Sequence, residues 1–588
     1  MSPTAASDAA LAGVPAPRAR SIMPDSRPIL SRLIGLETEY AIRYRPDPGH
    51  DRPVDRPVFE AIIAELRREL PLLDADYLKR GVFLATGGAV WFEKAPYRWV
   101  ARVEGATPEC RGPRRLLACQ RAQDRLLAVA AASARLSGEV TLCKGNADAT
   151  GRAYGAQENY EVDVGPRLLA WRLGRAFLII PTVVLTFVLL IAVSLLTWAW
   201  AIVVGALLLP VPFLAAACEA RGAPRAALRL RRVLLGRESP PYFSAANHNH
   251  FFPPLIARGF ILGEQILVIP LTLVIQALAS LTLQREVRRA LLPFLVTRGI
   301  FCGAGRVDSA GRFHLAGKAV GITGVTGVGL FGRPIFNLGH LAKGAIAGWL
   351  FPGGARLGGP TLRLQISLGD SNLCDEAEYL RIGTTSLVLD AIDAGAFDDF
   401  PSICRPIGAL RRVTADTTLR AAVPFTDGSA RTALDVQREY LDRCRTFVDG
   451  LPHAPDEAHE ILRHWDEVLT LLRTAPDRLV GRVDWITKRY LLDQCAPDAP
   501  PNVRQKIDLR YHELSPDGYF ERLRQADLPA KILTEPEIVS AQAAPPPDTP
   551  ATLRGRYVTA FADDPHARAT WHAVISGPLK SRRTHRLV

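Results

Sequence analysis

The sequence predicts an α+β protein whose folded body is interrupted by an inserted hairpin of apolar helices. Three observations carry this reading. Residues 33–43 (LIGLETEYAIR) alternate apolar and polar side chains as a half-buried strand does, and 82–92 and 362–368 also read as strands. Residues 59–70 and 114–136 have helical spacing instead. From Ala176 to Cys218 there is no charged residue, whereas the sequence on both sides reads as soluble protein.

At 588 residues the chain can bury large cores in more than one domain. The hydrophobic content of 48% and mean hydropathy of +0.07 are high for a purely soluble protein, and the apolar stretch accounts for them. A net charge of +13 suits nucleic acid, an anionic membrane surface or an acidic partner. The arginines concentrate beside the apolar segments and no nucleic-acid motif is present, so the last two are favoured and no nucleic-acid partner is expected. Nine scattered cysteines without a CxxC pair suggest reduced thiols in a cytoplasmic body, not a disulfide framework or a zinc site.

Taken in order, residues 1–27 are rich in Ala, Pro, Ser and Asp, lack the apolar core of a signal peptide and read as a disordered tail. The body begins at 28–165. Gly87 and Gly88 form a turn inside 82–92, and 144–160 (KGNADATGRAYGAQENY) reads as strand-turn-strand. The insertion covers 166–284. Its 43 uncharged residues, 176–218, match two helices of about 20 residues each, with Trp198 and Trp200 at a turn on the far interface.

The basic loop 219–258 carries Arg221, Arg225, Arg229, Arg231, Arg232 and Arg237, which the positive-inside rule places in the cytoplasm. The stretch 259–284 is then re-entrant or interfacial, broken at Pro270. A competing arrangement makes 176–218 one over-long span with 265–284 returning, and it exports the Arg-rich loop. The body resumes at 285–505. There Asp370 or Ser371 caps a helix running to Ile392, and 454–472 and 478–494 are amphipathic helices. A Pro-rich break at 545–550 lies within a small C-terminal domain, 506–588.

An ordered series of motifs then resembles a known family. GLETEY (35–40), GGAVWFE (87–93), EGATPEC (104–110), the 144–160 motif, ALLPFLVTRGIFCGAGRV (290–307), LGDSNLCDEAEYLRIGTTSLVLD (368–390), GRVDWITKRYLL (481–492), IDLRYHEL (507–514) and PPDTPATLRGRY (546–557) are similar to segments of the Pup ligase and Pup deamidase/depupylase family. That family is distantly related to glutamine synthetase. The resemblance implies a glutamine-synthetase-like antiparallel sheet forming a cradle, backed by helices. It further implies ATP and Mg2+ as cofactors, Pup or a Pup-like small protein with its protein targets as partners, and chemistry on a glutamyl carboxylate or amide. A carboxylate is a poor electrophile until phosphorylated, and magnesium prefers oxygen ligands, which is why such sites hold paired Glu residues.

Carried over motif by motif, the resemblance makes Glu37, Glu39 and Glu104 metal ligands and Glu93 the catalytic base. Lys144, Asn146, Asp148, Tyr154, Glu158, Asn159, Arg333, Arg482 and Trp485 become nucleotide-binding residues, and Glu109 is a further motif carboxylate. Several positions depart from the family pattern. Glu93 replaces an aspartate, Arg102-Val103-Glu104-Gly105 replaces His-Pro-Glu-Tyr, and Gln157 replaces a histidine. After Asn337 the family's Arg-Asp-Glu-Pro-His run reads Leu338, Gly339, His340, Leu341, Ala342 and Lys343. The short segment between Glu39 and Glu93 resembles the ligase more than the deamidase.

The leading expectation is a ligase- or deamidase-like enzyme held at the inner (cytoplasmic) membrane, its body in the cytoplasm against the cytoplasmic leaflet. A membrane-bound pseudoenzyme or adaptor is one alternative, favoured by the altered 338–343 run. A ligase for a small-molecule carboxylate is another. GITGVTGVGLFG (321–332) lacks the GK[ST] of a P-loop and reads as turns. His453, His459 and His464 read as a solvated helix face, and His248 and His250 as an interfacial loop.

Overall fold

The computed structural model describes residues 27–53, 55–77, 79–94, 101–147, 154–165, 167–235, 254–329, 332–341, 361–496, 499–578 and 581–587. Asp148, His248, His250, Lys343 and all of the expected tail except Arg27 lie outside the described residues.

Thirteen strands are used below: β1 (Leu33–Pro46), β2 (Leu72–Asp74), β3 (Gly81–Leu84), β4 (Ala89–Lys94), β5 (Ala101–Ala106), β6 (Cys110–Arg111), β7 (Gly138–Cys143), β8 (Gln157–Asp163), β9 (Arg306–Val307), β10 (Phe313–His314), β11 (Gly324–Gly327), β12 (Pro334–Asn337) and β13 (Thr361–Ile366). All but the β9–β10 hairpin join one sheet, ordered β11-β12-β13-β8-β1-β5-β4-β3-β2, with β6 and β7 also paired to β1. The expected wholly antiparallel sheet is corrected to a mixed one, because β11 and β12 run parallel. Their register pairs Gly324 with Pro334, so the chain regains the level of Gly324 before β12 starts.

The helices are α1 (Asp55–Glu69), α2 (Pro113–Ser133), α3 (Leu168–Gly174), α4 (Ile180–Leu208), α5 (Val211–Ala220), α6 (Pro224–Leu235), α7 (Pro254–Thr282) and α8 (Arg285–Thr297), followed by a largely helical second half. One face of the sheet is closed by helices. On β1 the side chains of Ile34, Leu36, Thr38 and Tyr40 turn to that face, and all four are buried. Tyr40 donates a 2.6 Å bond to Asp124 and accepts 3.1 Å bonds from the Gln120 and Gln123 amides, which anchors α2. Gly105 is required beneath this contact: a Cβ there would lie 2.3 Å from the Gln123 amide nitrogen.

Further along, Tyr160, Val162, Leu364 and Ile366 pack with α8 and the Asp375–Asp393 helix in the largest apolar core. That helix starts after Cys374 without a side-chain cap, so neither Asp370 nor Ser371 caps it. Asp370 instead accepts 2.8 Å bonds from the backbone nitrogens of Ala304, Gly317 and Lys318.

The insertion leaves and re-enters the body at one point, where the Gln284 nitrogen donates to the Val164 carbonyl at 3.3 Å. The two-helix hairpin expected within 176–218 is not what forms. Helix α4 runs unbroken through Trp198 and Trp200, because no turn residue stands there, and it stops only before Pro210 and Pro212. Helix α7 likewise continues through Pro270 instead of breaking, since proline fits helical φ at the cost of one backbone bond. These two helices pack on each other. A Cβ on Gly174 would meet Leu278, and one on Gly263 would meet Val193 and Thr197, a register that makes the pair antiparallel. Helices α4 and α7 thus form one antiparallel pair, with α5 and α6 at the end remote from the sheet.

The base of the insertion shares a core with the sheet edge. Val164, Trp171, Ile179, Leu271 and Ile275 pack with Leu338 and Leu341, which follow β12. Gln276 also donates to the Thr326 carbonyl on β11 at 3.2 Å. At the opposite edge the C-terminal residues Val558, Ala567, Ala569, Val574 and Leu587 pack on Phe83, Ala89, Trp91 and Ala106. A chain in which a short linker replaces 166–284 exposes Leu338 and Leu341. It should self-associate by sedimentation velocity, and adding Leu338→Ser and Leu341→Ser should restore a monodisperse species.

Candidate functional site

Between these two packed edges the second face of the sheet is polar and not covered by helices, with Glu93, Glu37 and Arg363 partly exposed and Glu39, Glu104 and Gln365 buried among their partners. Residues directly opposite each other on paired strands share a face. Glu39 pairs with Glu104, Glu93 with Arg102, Glu37 with Gln157, and Asn159 with Gln365. Glu93, Glu104, Glu39 and Glu37 thus stand in a row across β4, β5 and β1, with Gln157, Asn159, Arg363 and Gln365 continuing it onto β8 and β13.

Four carboxylates on one face repel each other unless compensated. Each has a cationic partner here. The Lys79 ammonium lies 2.5 Å from Glu93 and 2.6 Å from Glu104, Arg102 lies 3.4 Å from Glu39, and Arg363 lies 2.6 Å from Glu37. Gln365 adds a 3.3 Å bond to Glu37 and a 2.8 Å bond to Gln157, and Arg363 donates to Asn159 at 2.7 Å. Burial pushes the Glu104 carboxyl up to about 7; Lys79 opposes this shift, while Glu37 and Glu93 add to it.

Beside the carboxylates lies a cluster of positive charge. The Arg102 guanidinium sits over the Tyr154 ring at 5.4 Å from its centroid. Arg333 is within electrostatic range of Glu39 and Lys318. The Lys318 ammonium donates to the Ala156 carbonyl at 2.9 Å, and burial pushes it down to about 8, with Glu39 opposing and Arg333 reinforcing the shift. Arg102 over the Tyr154 ring, Arg333 in electrostatic range of the same ring, and Lys318 in range of Arg333 fit an anionic group such as a phosphate or a carboxylate.

The expected magnesium ligands fit less well. Glu37, Glu39 and Glu104 do share the face, but their oxygens are engaged by Arg363, Gln365, Arg102 and Lys79. Among the described residues no three carboxylate, His or Cys side chains converge as a metal would need. The donor set as folded does not fit a divalent ion.

Several expected nucleotide ligands are engaged within the framework, Lys144, Asn146, Glu158 and Trp485 buried and Arg482 partly exposed. Lys144 is fully buried in a 2.8 Å ion pair with Asp124 behind the sheet. Asn146 accepts from the Ser371 nitrogen at 2.8 Å. Glu158 points to the helical face, because its neighbours Gln157 and Asn159 take the open one; there it meets Arg298 and, at 3.1 Å, Arg381. Arg482 forks onto Glu376 and pairs with Glu467, and the Trp485 indole donates to the Ile300 carbonyl at 2.8 Å. Glu109 is held by Arg554.

Sequence reasoning missed Lys79, Lys318, Arg363 and Gln365. Arg363 and Gln365 were readable in principle, since TLRLQI alternates in phase with one polar face. Lys79 and Lys318 carry no local signal. The framework role of Glu158 is testable: Glu158→Gln leaves two buried guanidinium groups undercompensated and should cost about 3–5 kcal/mol in urea unfolding, far more than loss of a surface ligand would.

The Pup-ligase protein family model matches residues 32–575. A depupylase of Acidothermus cellulolyticus is 33% identical over 303 residues, covering 49% of this chain and 58% of that protein. A Pup–protein ligase of Mycolicibacterium smegmatis is 34% identical over 283 residues, covering 46% and 59%. The chain thus spans under two thirds of the length of these relatives. Among solved structures, the ligase PafA in complex with Pup superposes with a TM-score of 0.62 at 19% identity, covering 95% of this chain and 88% of that one. PafA in complex with ADP gives 0.56 at 19% identity, with 92% of each chain covered. By the extent of the family match, this chain belongs to the Pup ligase family.

Proposed function

We propose that the chain is a membrane-anchored enzyme of the Pup ligase/depupylase type, acting on a glutamyl carboxylate or amide of Pup or a Pup-like tail. The observation that carries this reading is the row of Glu93, Glu104 and Glu39 in register across three adjacent strands, beside the cationic cluster at Tyr154. Arg102, Arg333 and Lys318 hold an anionic group, the tail carboxylate or a phosphate, close to Glu93. Glu93 accepts the proton of the attacking amine or water, and Lys79, 2.5 Å away, orients its carboxylate. ATP, when bound, supplies the phosphoryl group that turns a glutamyl carboxylate into an electrophile.

A second reading, an adaptor that binds such a tail without turning it over, is favoured by Leu338 and Leu341. They lie in an apolar core where relatives are expected to present a polar, phosphate-reaching run.

Anchoring is supported by α4. Leu168–Ala220 is the one run among the described residues long and apolar enough to cross a membrane by length and composition, and only 11% of its most apolar window is buried. At ~1.5 Å per residue, α4 exceeds the ~30 Å hydrocarbon core of a bilayer. Arginines flank the helix pair at both ends: Arg167, Arg172 and Arg175 with Arg285 and Arg289 at the body, and Arg221, Arg225, Arg229, Arg231 and Arg232 at the remote end. We place the body at the cytoplasmic face of the inner membrane, on the side that supplies ATP, and the basic loop after α5 is then exported against the positive-inside rule.

Two outcomes are expected. With ATP and Pup-like tails ending in Glu or Gln, the wild type should release phosphate or ammonia. Glu93→Gln should lose about 10²–10⁴-fold of that rate while keeping its affinity for the tail. Clear tail binding without turnover by the wild type would replace the enzyme with the adaptor. Separately, the expressed protein should stay in the membrane fraction through alkaline carbonate extraction; release into the supernatant would remove the anchor.

A further inference from the structure

The same open face suggests something the family resemblance does not. A divalent ion at Glu37, Glu39 and Glu104 would have to gather several of their oxygens at about 2.0–2.6 Å. Those oxygens instead face tethered cations of the chain itself. Lys79 stands between Glu93 and Glu104, at 2.5 and 2.6 Å, as a bridging ion would. Arg102 stands at Glu39 and Arg363 at Glu37.

Two of these three cations are held from a second side as well. The Lys79 ammonium lies 5.7 Å from the centroid of the Trp91 ring, which in turn packs edge-on against Tyr77 and Phe83. The Arg102 guanidinium lies over Tyr154. Aromatic faces favour such cations independently of the carboxylates, so the sockets are built to keep them in place. An ammonium or guanidinium at these positions would repel any divalent ion sharing the same oxygens.

We propose that Lys79, Arg102 and Arg363 are built-in counter-ions that take the place of a divalent metal on this face, making its carboxylate row metal-independent. The inference builds on the reading of this face as the functional site, but it needs no turnover there. A chain without ligase or amidase activity would still show it, whereas a metal-requiring enzyme would satisfy the proposed function and contradict this one.

The test uses the full-length protein in detergent, without nucleotide. Thermal unfolding is compared in EDTA, Mg2+ and Mn2+, and bound Mn2+ is counted by electron paramagnetic resonance. The wild type should unfold at the same temperature in all three and leave the free-Mn2+ signal undiminished. Lys79→Met combined with Arg102→Leu removes both cations without adding a metal donor, and should gain both a divalent-dependent rise in Tm and bound Mn2+. Where the wild type binds ATP, its affinity in EDTA should equal that in Mg2+. A wild type that binds Mn2+ or is stabilised by Mg2+ overturns the inference. A folded double variant that gains no response overturns it too, since the cations would then not be what excludes the metal. Should the double variant fail to fold, Arg363→Gln, at the rim of the row, is scored in the same two assays.

Discussion

Strand β1 is the constraint on which the rest of this structure depends. It pairs with β5, β6, β7 and β8, so its register is fixed from both sides. A slip of one residue would turn Glu37 and Glu39 into the helical core and expel Tyr40 and Leu36 from it. The hydrogen bonds from Tyr40 and Thr38 into α2 make such a slip costly, because Asp124 and Gln120 would lose buried partners. At the start of the strand, Arg32 forks onto Asp390 and reaches Asp393 at 3.0 Å, tying β1 to the central helix of the second half. The carboxylate row is thus held in place by what happens on the other side of the sheet.

The same alternation divides the family motifs into two populations. In QENY, Gln157 and Asn159 serve the open face, while Glu158 and Tyr160 serve the core. Glu158 with Arg298 and Arg381, and Lys144 with Asp124, are charged groups withdrawn from water and compensated locally. Motif residues of this kind specify how the helices dock on the sheet. The open-face residues, Glu37, Glu39, Glu93, Glu104, Gln157 and Asn159, are free to face a ligand through the cations that now balance them.

The insertion is more than an appendage to the body. It leaves from the end of β8 and returns one hydrogen bond away, so the body tolerates it as it would a surface loop. Yet Leu338 and Leu341 join its apolar base, and Gln276 reaches the β11 backbone. The segment after β12, which in relatives is expected to be polar and turned to the site, is here part of the packing that seats the helix pair.

By itself the sequence determined the family, the strand carrying Glu37 and Glu39, the common direction of those two side chains, and the apolar insertion. Each is written in short-range pattern: a period of two, a run without charge, or motifs in fixed order. Even the path of α4 had a local cause, in that no proline stands between Pro181 and Pro210. Tertiary structure decided the rest. The pairing of α4 with α7 across more than sixty residues, the withdrawal of Lys144, Glu158 and Trp485 into the core, and the arrival of Lys79 and Arg363 at the carboxylates are contacts between segments distant in the sequence. Which cation meets which carboxylate is set by cross-strand neighbours distant in sequence, and no local pattern in the chain records that.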